Sequence, residues 1–79
     1  MPNDVGIYYF HDQNGKIIYI GKSNNLKNRV NQHLTGKSKK SLNIQLEVFD
    51  ITFERTGSEL IALLKENTKI KKHKPKFNK

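Results

Sequence analysis

The chain has 79 residues, 15 of them lysine or arginine and seven aspartate or glutamate, so its formal net charge is +8. This length indicates one domain with a small core, and the absence of cysteine excludes disulfides and thiolate–zinc sites. No stretch approaches the roughly 18 consecutive apolar residues of a membrane span. The basic excess predicts a polyanionic partner, nucleic acid ahead of an anionic membrane surface, although solubility alone would also explain it.

The first element in chain order is a β-hairpin. Val5–His11 is rich in β-branched and aromatic residues, which favours a strand. Residues 12–15 (DQNG) end in Asn-Gly, a strong turn signal, and Ile17–Ile20 then predicts a second strand that ends at Gly21.

A helix is predicted next, from about Leu26 to Leu34. Residues 22–25 (KSNN) offer Ser and Asn as caps before it. The expected buried stripe has four-residue spacing: Leu26, Val30 and Leu34. Residues 35–40 (TGKSKK) then predict a loop that carries a basic cluster.

Residues 41–49 (SLNIQLEVF) fit two structures. Apolar residues alternate through this segment as in a strand, but a short helix leading into a strand at Asp50–Arg55 is also possible. We favour the helix, because a strand of about eleven or more residues is long for so small a domain.

The last helix is predicted to open with a capping box, in which Thr56 is the N-cap and Glu59 reaches back to it. It should end before Pro75, and Phe77 is the only large apolar anchor of the tail. Its apolar residues are Leu60, Ile61, Leu63, Leu64 and Ile70. The chain is therefore predicted to be a single α+β domain over residues 1–79, with a three-stranded antiparallel sheet flanked by helices (β-β-α-(α)-β-α).

Polar residues beside the hairpin aromatics make these aromatics candidates for a functional site as well as for the core. Tyr8 and Phe10 share one face of their strand, and for any single strand tyrosine a packing role is the simpler interpretation. Tyr19, however, is followed one residue later by Gly21 and then by Lys22, and a glycine at a strand end lets a backbone or a phosphate come close.

Two helices supply the candidate charges. Arg29 and His33 lie four apart beside the first apolar stripe, where Arg29 would be half-buried and aimed at the sheet. Arg29 could hold a phosphate through two hydrogen bonds, or merely cover apolar surface, and His33 could donate a proton or bind phosphate. Glu66 lies at the edge of the last helix's apolar stripe, where a carboxylate is costly unless a cation or metal pairs with it.

The residues present limit the kinds of metal site that the chain could form. The three histidines lack zinc-ligand spacing, and seven acidic residues are too few and too scattered for a clustered two-metal site. One metal ion held by Glu66 and water is the more economical hypothesis. The alternative is an ordinary salt bridge from Glu66 to Arg29 or to a lysine.

These residues carry a family resemblance. Gly6-Ile7-Tyr8 and Tyr19-Ile20-Gly21 resemble the paired motifs that name the GIY-YIG nuclease superfamily. The resemblance continues in order through Lys22, Arg29, Glu66 and residues 70–78, and so covers nearly the whole chain. It is similar to the nuclease domain of UvrC proteins and to GIY-YIG modules fused to bacterial exonuclease domains. Each tripeptide alone is weak, but six ordered elements together are specific.

The resemblance implies a DNA endonuclease of repair or processing that uses one Mg²⁺ or Mn²⁺ and leaves 5′-phosphate and 3′-hydroxyl ends. It implies catalytic roles for Tyr8, Tyr19, Arg29 and Glu66, with Glu66 the metal ligand and one of the tyrosines activating the water. His33 matches a position that is His in some members and Tyr in others. The expected phosphate or DNA contacts are Lys22, His33, Lys37, Lys39 and Lys40, and the expected supporting residues are Gly6, Gly21 and Asn78.

Two rivals remain at this point. One is a catalytically inactive nucleic-acid-binding module on the same fold, and the other is a basic protein-interaction domain associated with ribosomes or membranes. The partner we expect is double-stranded or branched DNA, with no membrane partner and with further domains or repair proteins supplying specificity. Residues 1–4 lack the layout of a secretion signal, and we expect a cytoplasmic protein, either a stand-alone nuclease or a domain of a longer one.

Overall fold

Three strands and three helices follow one another in the predicted order, with the segment after the first helix forming a second helix rather than a strand. The computed structural model describes residues 5–78. Its elements are β1 (Gly6–His11), β2 (Ile17–Ser23), α1 (Leu26–Thr35), α2 (Lys39–Glu47), β3 (Asp50–Arg55) and α3 (Glu59–His73). Within that span no helix is both long enough and apolar enough to cross a membrane.

The sheet is antiparallel throughout, in the order β2-β1-β3, so β1 is its central strand. Gly6 begins β1 opposite Arg55, and a Cβ built on Gly6 would lie 2.2 Å from the carbonyl oxygen of Glu54. Real Cβ atoms do not approach backbone so closely, so β1 and β3 can meet here only because residue 6 has no side chain.

The two faces of the sheet are covered by different helices. Tyr8 and Phe10 project from one face of β1, where they join a buried cluster with residues of α1 and α2. The cluster's other buried members are Ile18, Leu26, Val30 and Ile44. Ile7 and Ile20 are also fully buried, and α3 packs against β1 and β2 with Ala62 as its buried residue.

Several element boundaries differ from those predicted. β2 continues past Gly21 to Ser23, because Gly6 and Ile7 of β1 still pair with this segment. α2 begins at Lys39, inside the predicted basic loop, because the Ser38 hydroxyl caps it by accepting from the Ser41 N–H. α1 matches its prediction closely, except that Leu34 lies at its exposed end, beyond the reach of the core.

The start and the facing of α3 were predicted wrongly. Ser58 is the N-cap without a side-chain capping bond, and the Thr56 hydroxyl instead donates to the carbonyl of Ser58, so the capping box does not form. The leucine-rich side of α3 faces solvent, because small Ala62 lets the helix approach the sheet on its other side. The exposed apolar residues there are Leu60, Ile61, Leu63 and Leu64.

Gly21 is required by a side chain of the neighbouring strand. Tyr8 pairs with Gly21 across β1 and β2, and its ring lies over the glycine. A Cβ on residue 21 would lie 2.3 Å from both the Cζ and the Oη of Tyr8. The tyrosine of the first tripeptide therefore occupies space that the glycine of the second leaves open.

We expect Gly21→Ala to lower the free energy of unfolding by about 1–3 kcal/mol, because the buried Tyr8 ring must move off its position to admit a methyl group. Urea unfolding measures this change, with Gln13→Ala in the exposed hairpin turn as a control that stays near wild type. A Gly21→Ala protein as stable as the control would contradict the close contact.

Candidate active site

Four aromatic rings meet at the sheet face that α1 covers. Tyr8 lies between Phe10 and Tyr19, with ring centroids 5.5 Å and 6.1 Å from its own. The His33 ring, from the last turns of α1, lies 5.7 Å from Tyr8, 5.1 Å from Tyr19 and edge-on to Phe10 at 5.5 Å. The two motif tyrosines and the helix histidine thus form one cluster.

The Tyr8 hydroxyl is at the centre of this cluster. Its oxygen lies 2.8 Å from Nε2 of His33, within hydrogen-bonding distance, and the Tyr8 side chain is only 1% exposed. Burial raises the pKa of Tyr8 well above its ordinary value, and Tyr19 raises it further, while Arg29 opposes the shift. Tyr8 therefore keeps its proton across the physiological pH range.

Tyr19 is the more accessible of the two tyrosines, since it is only partly buried. Burial raises its pKa, but a hydrogen bond from Tyr8 lowers it, and Arg29 also favours the ionised form against Glu66. A hydrogen bond donated to a phenol oxygen stabilises the phenolate. The pKa of Tyr19 is still raised overall, but of the two phenols Tyr19 is the one whose anion the surroundings oppose less.

His33 is partly buried, and burial lowers its pKa from the ordinary value, with Arg29 and Lys40 adding to the effect. A protonated His33 would be unfavourable, because it would lie near two other cations in a partly desolvated site. At neutral pH the ring is therefore uncharged, which suits a hydrogen bond with Tyr8 better than an ionic contact with phosphate.

Arg29 differs from its expected position. The side chain was predicted to be half-buried at the edge of the core, but the residue is exposed, because the α1 face that enters the core is set by Leu26 and Val30. Its charge still reaches Tyr8, Tyr19 and His33 electrostatically. Arg29 therefore stands at the mouth of the site, where a bound anion would be accessible to it.

Glu66 is turned inward on α3, one helical turn beyond Ala62. It is partly buried, and burial raises its pKa while Lys22 lowers it. Within residues 5–78 the ion pairs are Lys65–Glu54 and Lys76–Glu47, and the Glu66 carboxylate has no hydrogen bond or ion pair. The expected alternative, a salt bridge from Glu66 to Arg29 or a lysine, is therefore absent among these residues.

The donor set around Glu66 fits a hard divalent cation that keeps most of its water. The described part of the chain has no cluster of three or more His, Cys, Asp or Glu side chains that could hold a metal. Mg²⁺ is commonly bound through one or two carboxylates while retaining several waters, whereas zinc needs three or four protein ligands. Among residues 5–78, a partly buried carboxylate with no hydrogen bond or ion pair therefore fits Mg²⁺ better than zinc.

The remaining predicted cations fall into two groups. Lys22 lies on β2 close enough to act on Glu66, and Lys40 lies over Tyr19, with Nζ 4.8 Å from the ring centroid. Lys37 and Lys39 are exposed on the approach to α2 and in its first turn, and the structure gives them no contact with the aromatic cluster.

Asn78 acts on the backbone of β2 rather than on the reacting groups. Its side-chain oxygen accepts from the Ile20 N–H at 2.7 Å, and its amide nitrogen donates to the Ile20 carbonyl at 2.7 Å. The Phe77 N–H adds a bond to the Ile18 carbonyl at 3.1 Å, and the Phe77 ring packs on the core. The tail thus pairs the outer edge of β2 beside Tyr19 and Gly21, and a role of Asn78 in supporting the site stays a prediction.

Comparison with known proteins decides the family, because residues 4–79 match the UvrC-like GIY-YIG domain. The chain belongs to the UvrC-like GIY-YIG family. It is 42% identical to UvrABC system protein C of Oenococcus oeni and 43% identical to that of Christiangramia forsetii, in each case over 99% of this chain. It spans 13% of the length of these relatives.

A solved structure shows the same architecture. The GIY-YIG N-terminal endonuclease domain of UvrC from Thermotoga maritima, bound to magnesium as its catalytic divalent cation, superposes with a TM-score of 0.90. The two are 33% identical, and the match covers 99% of this chain and 86% of that one. The three-stranded sheet and helix order of this chain are therefore those of a GIY-YIG nuclease domain.

One GIY-YIG site feature was missed from sequence. The Gln45 side-chain amide, on α2, donates to the carbonyls of His33 and Gly36, each at 2.9 Å. It thereby ties the end of α1 to α2 and fixes the backbone that carries His33. No sequence signal marked Gln45, because its partners are main-chain carbonyls in the last turn of α1 and just after it, and their position relative to α2 depends on the fold.

We expect Asn78→Ala to expose the Ile20 amide of the GIY-YIG strand and to lower the free energy of unfolding by about 1–3 kcal/mol, since two backbone groups lose their partners. Amide hydrogen exchange by NMR measures the first effect and urea unfolding the second. Asn31→Ala, on the exposed side of α1, is the control. Unchanged protection of the Ile20 amide in Asn78→Ala would rule out the clamp.

Proposed function

We propose that this chain is a metal-dependent DNA endonuclease domain acting in DNA repair or processing. The observation that carries this proposal is the inward-facing Glu66 carboxylate, which has no hydrogen bond or ion pair among the described residues and whose charge acts on both Tyr8 and Tyr19. A retired nuclease would gain nothing from a costly carboxylate near phosphate. The magnesium-bound Thermotoga domain supports the same chemistry here.

The metal in this proposal is Mg²⁺ or Mn²⁺, held by Glu66 and water. When bound, such an ion stabilises negative charge on the phosphate and the leaving oxygen and favours ionisation of a neighbouring phenol. Lys22 stands beside Glu66, and Arg29 stands at the mouth of the site. Both cations are placed to stabilise the charge that develops on the scissile phosphate.

Tyr19 is the residue we propose to take the proton from water. The water oxygen attacks phosphorus and its proton passes to the Tyr19 phenolate. The P–O3′ bond breaks, and the leaving 3′-oxygen takes a proton from a solvent water, which leaves a 5′-phosphate and a 3′-hydroxyl. Tyr8 is too deeply buried to meet bulk water, and its one proton supports the Tyr19 anion by hydrogen bonding. Neutral His33 then orients that proton, by donating from Nε2 to the Tyr8 oxygen.

Two rivals give different results. An inactive nucleic-acid-binding module would bind DNA in a salt-dependent way but would not cleave it with either metal. A basic protein-interaction domain would show neither strong DNA binding nor cleavage. Incubation with plasmid and with nicked, flap, duplex and single-stranded oligonucleotides, each with and without Mg²⁺ or Mn²⁺, separates the three.

The DNA structure that is cut stays a prediction. We propose double-stranded or branched DNA as substrate, with specificity supplied by other domains or repair proteins, since the relatives carry the name of the UvrABC system and are far longer. The expectation of a cytoplasmic protein without a membrane partner likewise stays a prediction.

Glu66→Gln is expected to reduce metal-dependent cleavage by about 100-fold or more, because the charge that holds the cation is lost while the side-chain shape remains. Mg²⁺ alone should raise the melting temperature of the wild type but not of this variant. Glu47→Gln, which removes a carboxylate from an exposed ion pair on α2, is the matched control and should keep wild-type cleavage. Undiminished cleavage by Glu66→Gln would remove Glu66 from the mechanism.

Cleavage by the wild type is expected to increase about tenfold per pH unit between pH 7 and 9, because burial raises the pKa of Tyr19 and the reactive phenolate is the minor form below it. Tyr19→Phe should lose about 100-fold or more in rate. Tyr9→Phe is the control, since Tyr9 bonds Glu54 on the opposite face of the sheet. The assignment of Tyr19 as the base fails if Tyr19→Phe keeps the wild-type rate.

A further inference from the structure

Lys40 is the only lysine of the predicted basic cluster (Lys37, Lys39 and Lys40) that the structure brings into contact with a motif tyrosine. It lies in the first turn of α2, and its Nζ stands 4.8 Å from the centroid of the Tyr19 ring. Its neighbours Lys37 and Lys39 have no such contact. All three lysines were expected to contact phosphate, and the fold separates Lys40 from the other two.

The charges around the site are arranged on two sides of Tyr19. Lys22 acts on Glu66, on the side that α3 contributes. Arg29 and Lys40 both act on His33, on the side of α1 and α2. A nucleic-acid strand with its scissile phosphate between Glu66 and Arg29 would therefore present a neighbouring phosphate to Lys40.

The contact that Lys40 makes without DNA is one that a phosphate can replace. Lys40 is exposed and makes no ion pair within residues 5–78, so only the cation–π contact with Tyr19 holds its ammonium group. Such an exposed contact is weaker than a charge-assisted bond to a phosphate oxygen. The four-carbon stem also lets the ammonium move a short distance while α2 stays fixed.

We infer that Lys40 is a substrate-binding residue that contacts a phosphate adjacent to the scissile one, and so sets the position of the strand over Tyr19. This inference rests on the proposed nuclease function and deepens it. The bound DNA strand would then run from the scissile phosphate near Glu66 toward the first turn of α2.

DNA binding tests the contact without any need for cleavage. In the Glu66→Gln background, Lys40→Met keeps an apolar stem over Tyr19 but removes the charge, and Lys16→Met removes a charge from the distant hairpin turn. For a short duplex, Lys40→Met should raise Kd about tenfold and reduce the slope of log Kd against log salt by about one, whereas Lys16→Met should change Kd by less than about twofold. Equal effects of the two substitutions would overturn the inference.

Cleavage of modified substrates then locates the phosphate. In a duplex of mapped cut site, single methylphosphonate linkages that carry no charge replace the phosphates on either side of the cut, one at a time. At one adjacent linkage, Lys40→Met should reduce the cleavage rate of the methylphosphonate substrate by less than about a further twofold. At the other linkages, the loss of cleavage rate caused by Lys40→Met and the loss caused by the methylphosphonate should multiply. Multiplying losses at every linkage would exclude a contact with an adjacent phosphate.

The result also separates this inference from the nuclease proposal. If no metal or substrate gives cleavage but Lys40→Met still weakens binding and lowers the salt slope, the phosphate contact stands and the nuclease activity does not. If the wild type cleaves and Lys40→Met cleaves with the same KM and kcat, Lys40 is excluded and the nuclease stands. Lys40→Arg, which keeps the charge, should restore KM.

Discussion

The contact between Tyr8 and Gly21 is the constraint on which the site depends. The Tyr8 ring lies in the space that a Cβ at residue 21 would fill, and this position brings its hydroxyl to His33 and Tyr19. The two name-giving tripeptides therefore describe one packing arrangement. The first supplies a tyrosine and the second supplies both the gap that receives it and the tyrosine beside it.

Tyr19 and Gly21 lie on an edge strand. This position makes Tyr19 accessible from solvent, but it also leaves the strand less firmly held than a central one. β2 is paired with β1 on one side only, so its other edge would expose backbone groups to water. Asn78 closes this edge at Ile20, between Tyr19 and Gly21, with two side-chain bonds that imitate a neighbouring strand, and the Phe77 N–H adds a bond at Ile18. An edge strand held in this way can carry a reactive phenol near the surface without losing its register.

Much of the fold was predictable because local patterns and tertiary packing agree along the first half of the chain. The Asn-Gly turn, the aromatic strands and the Leu26–Val30 spacing each have one good solution, and the length of residues 41–55 favoured a helix before β3. The orientation of α3 could not be predicted in the same way. Apolar periodicity shows which side of a helix is apolar, but it does not show which side a small residue such as Ala62 allows to pack closely against the sheet. The link between Tyr8 and His33 joins residues 25 positions apart, so no local pattern could reveal it.

The orientation of α3 also explains why Glu66 points to chemistry more strongly than the sequence suggested. A helix that maximised burial would turn Leu60 and Leu64 to the sheet, yet these are 65% and 58% exposed while a carboxylate faces inward. Partly burying that charge with no hydrogen bond or ion pair among the described residues opposes folding, and exposing the leucines forgoes apolar burial. Departures from local consistency of this kind concentrate where function requires them. Under the proposed function, a divalent cation held by Glu66 supplies an ionic partner that the described residues do not, and the carboxylate that weakens the free domain is then the one that binds the metal.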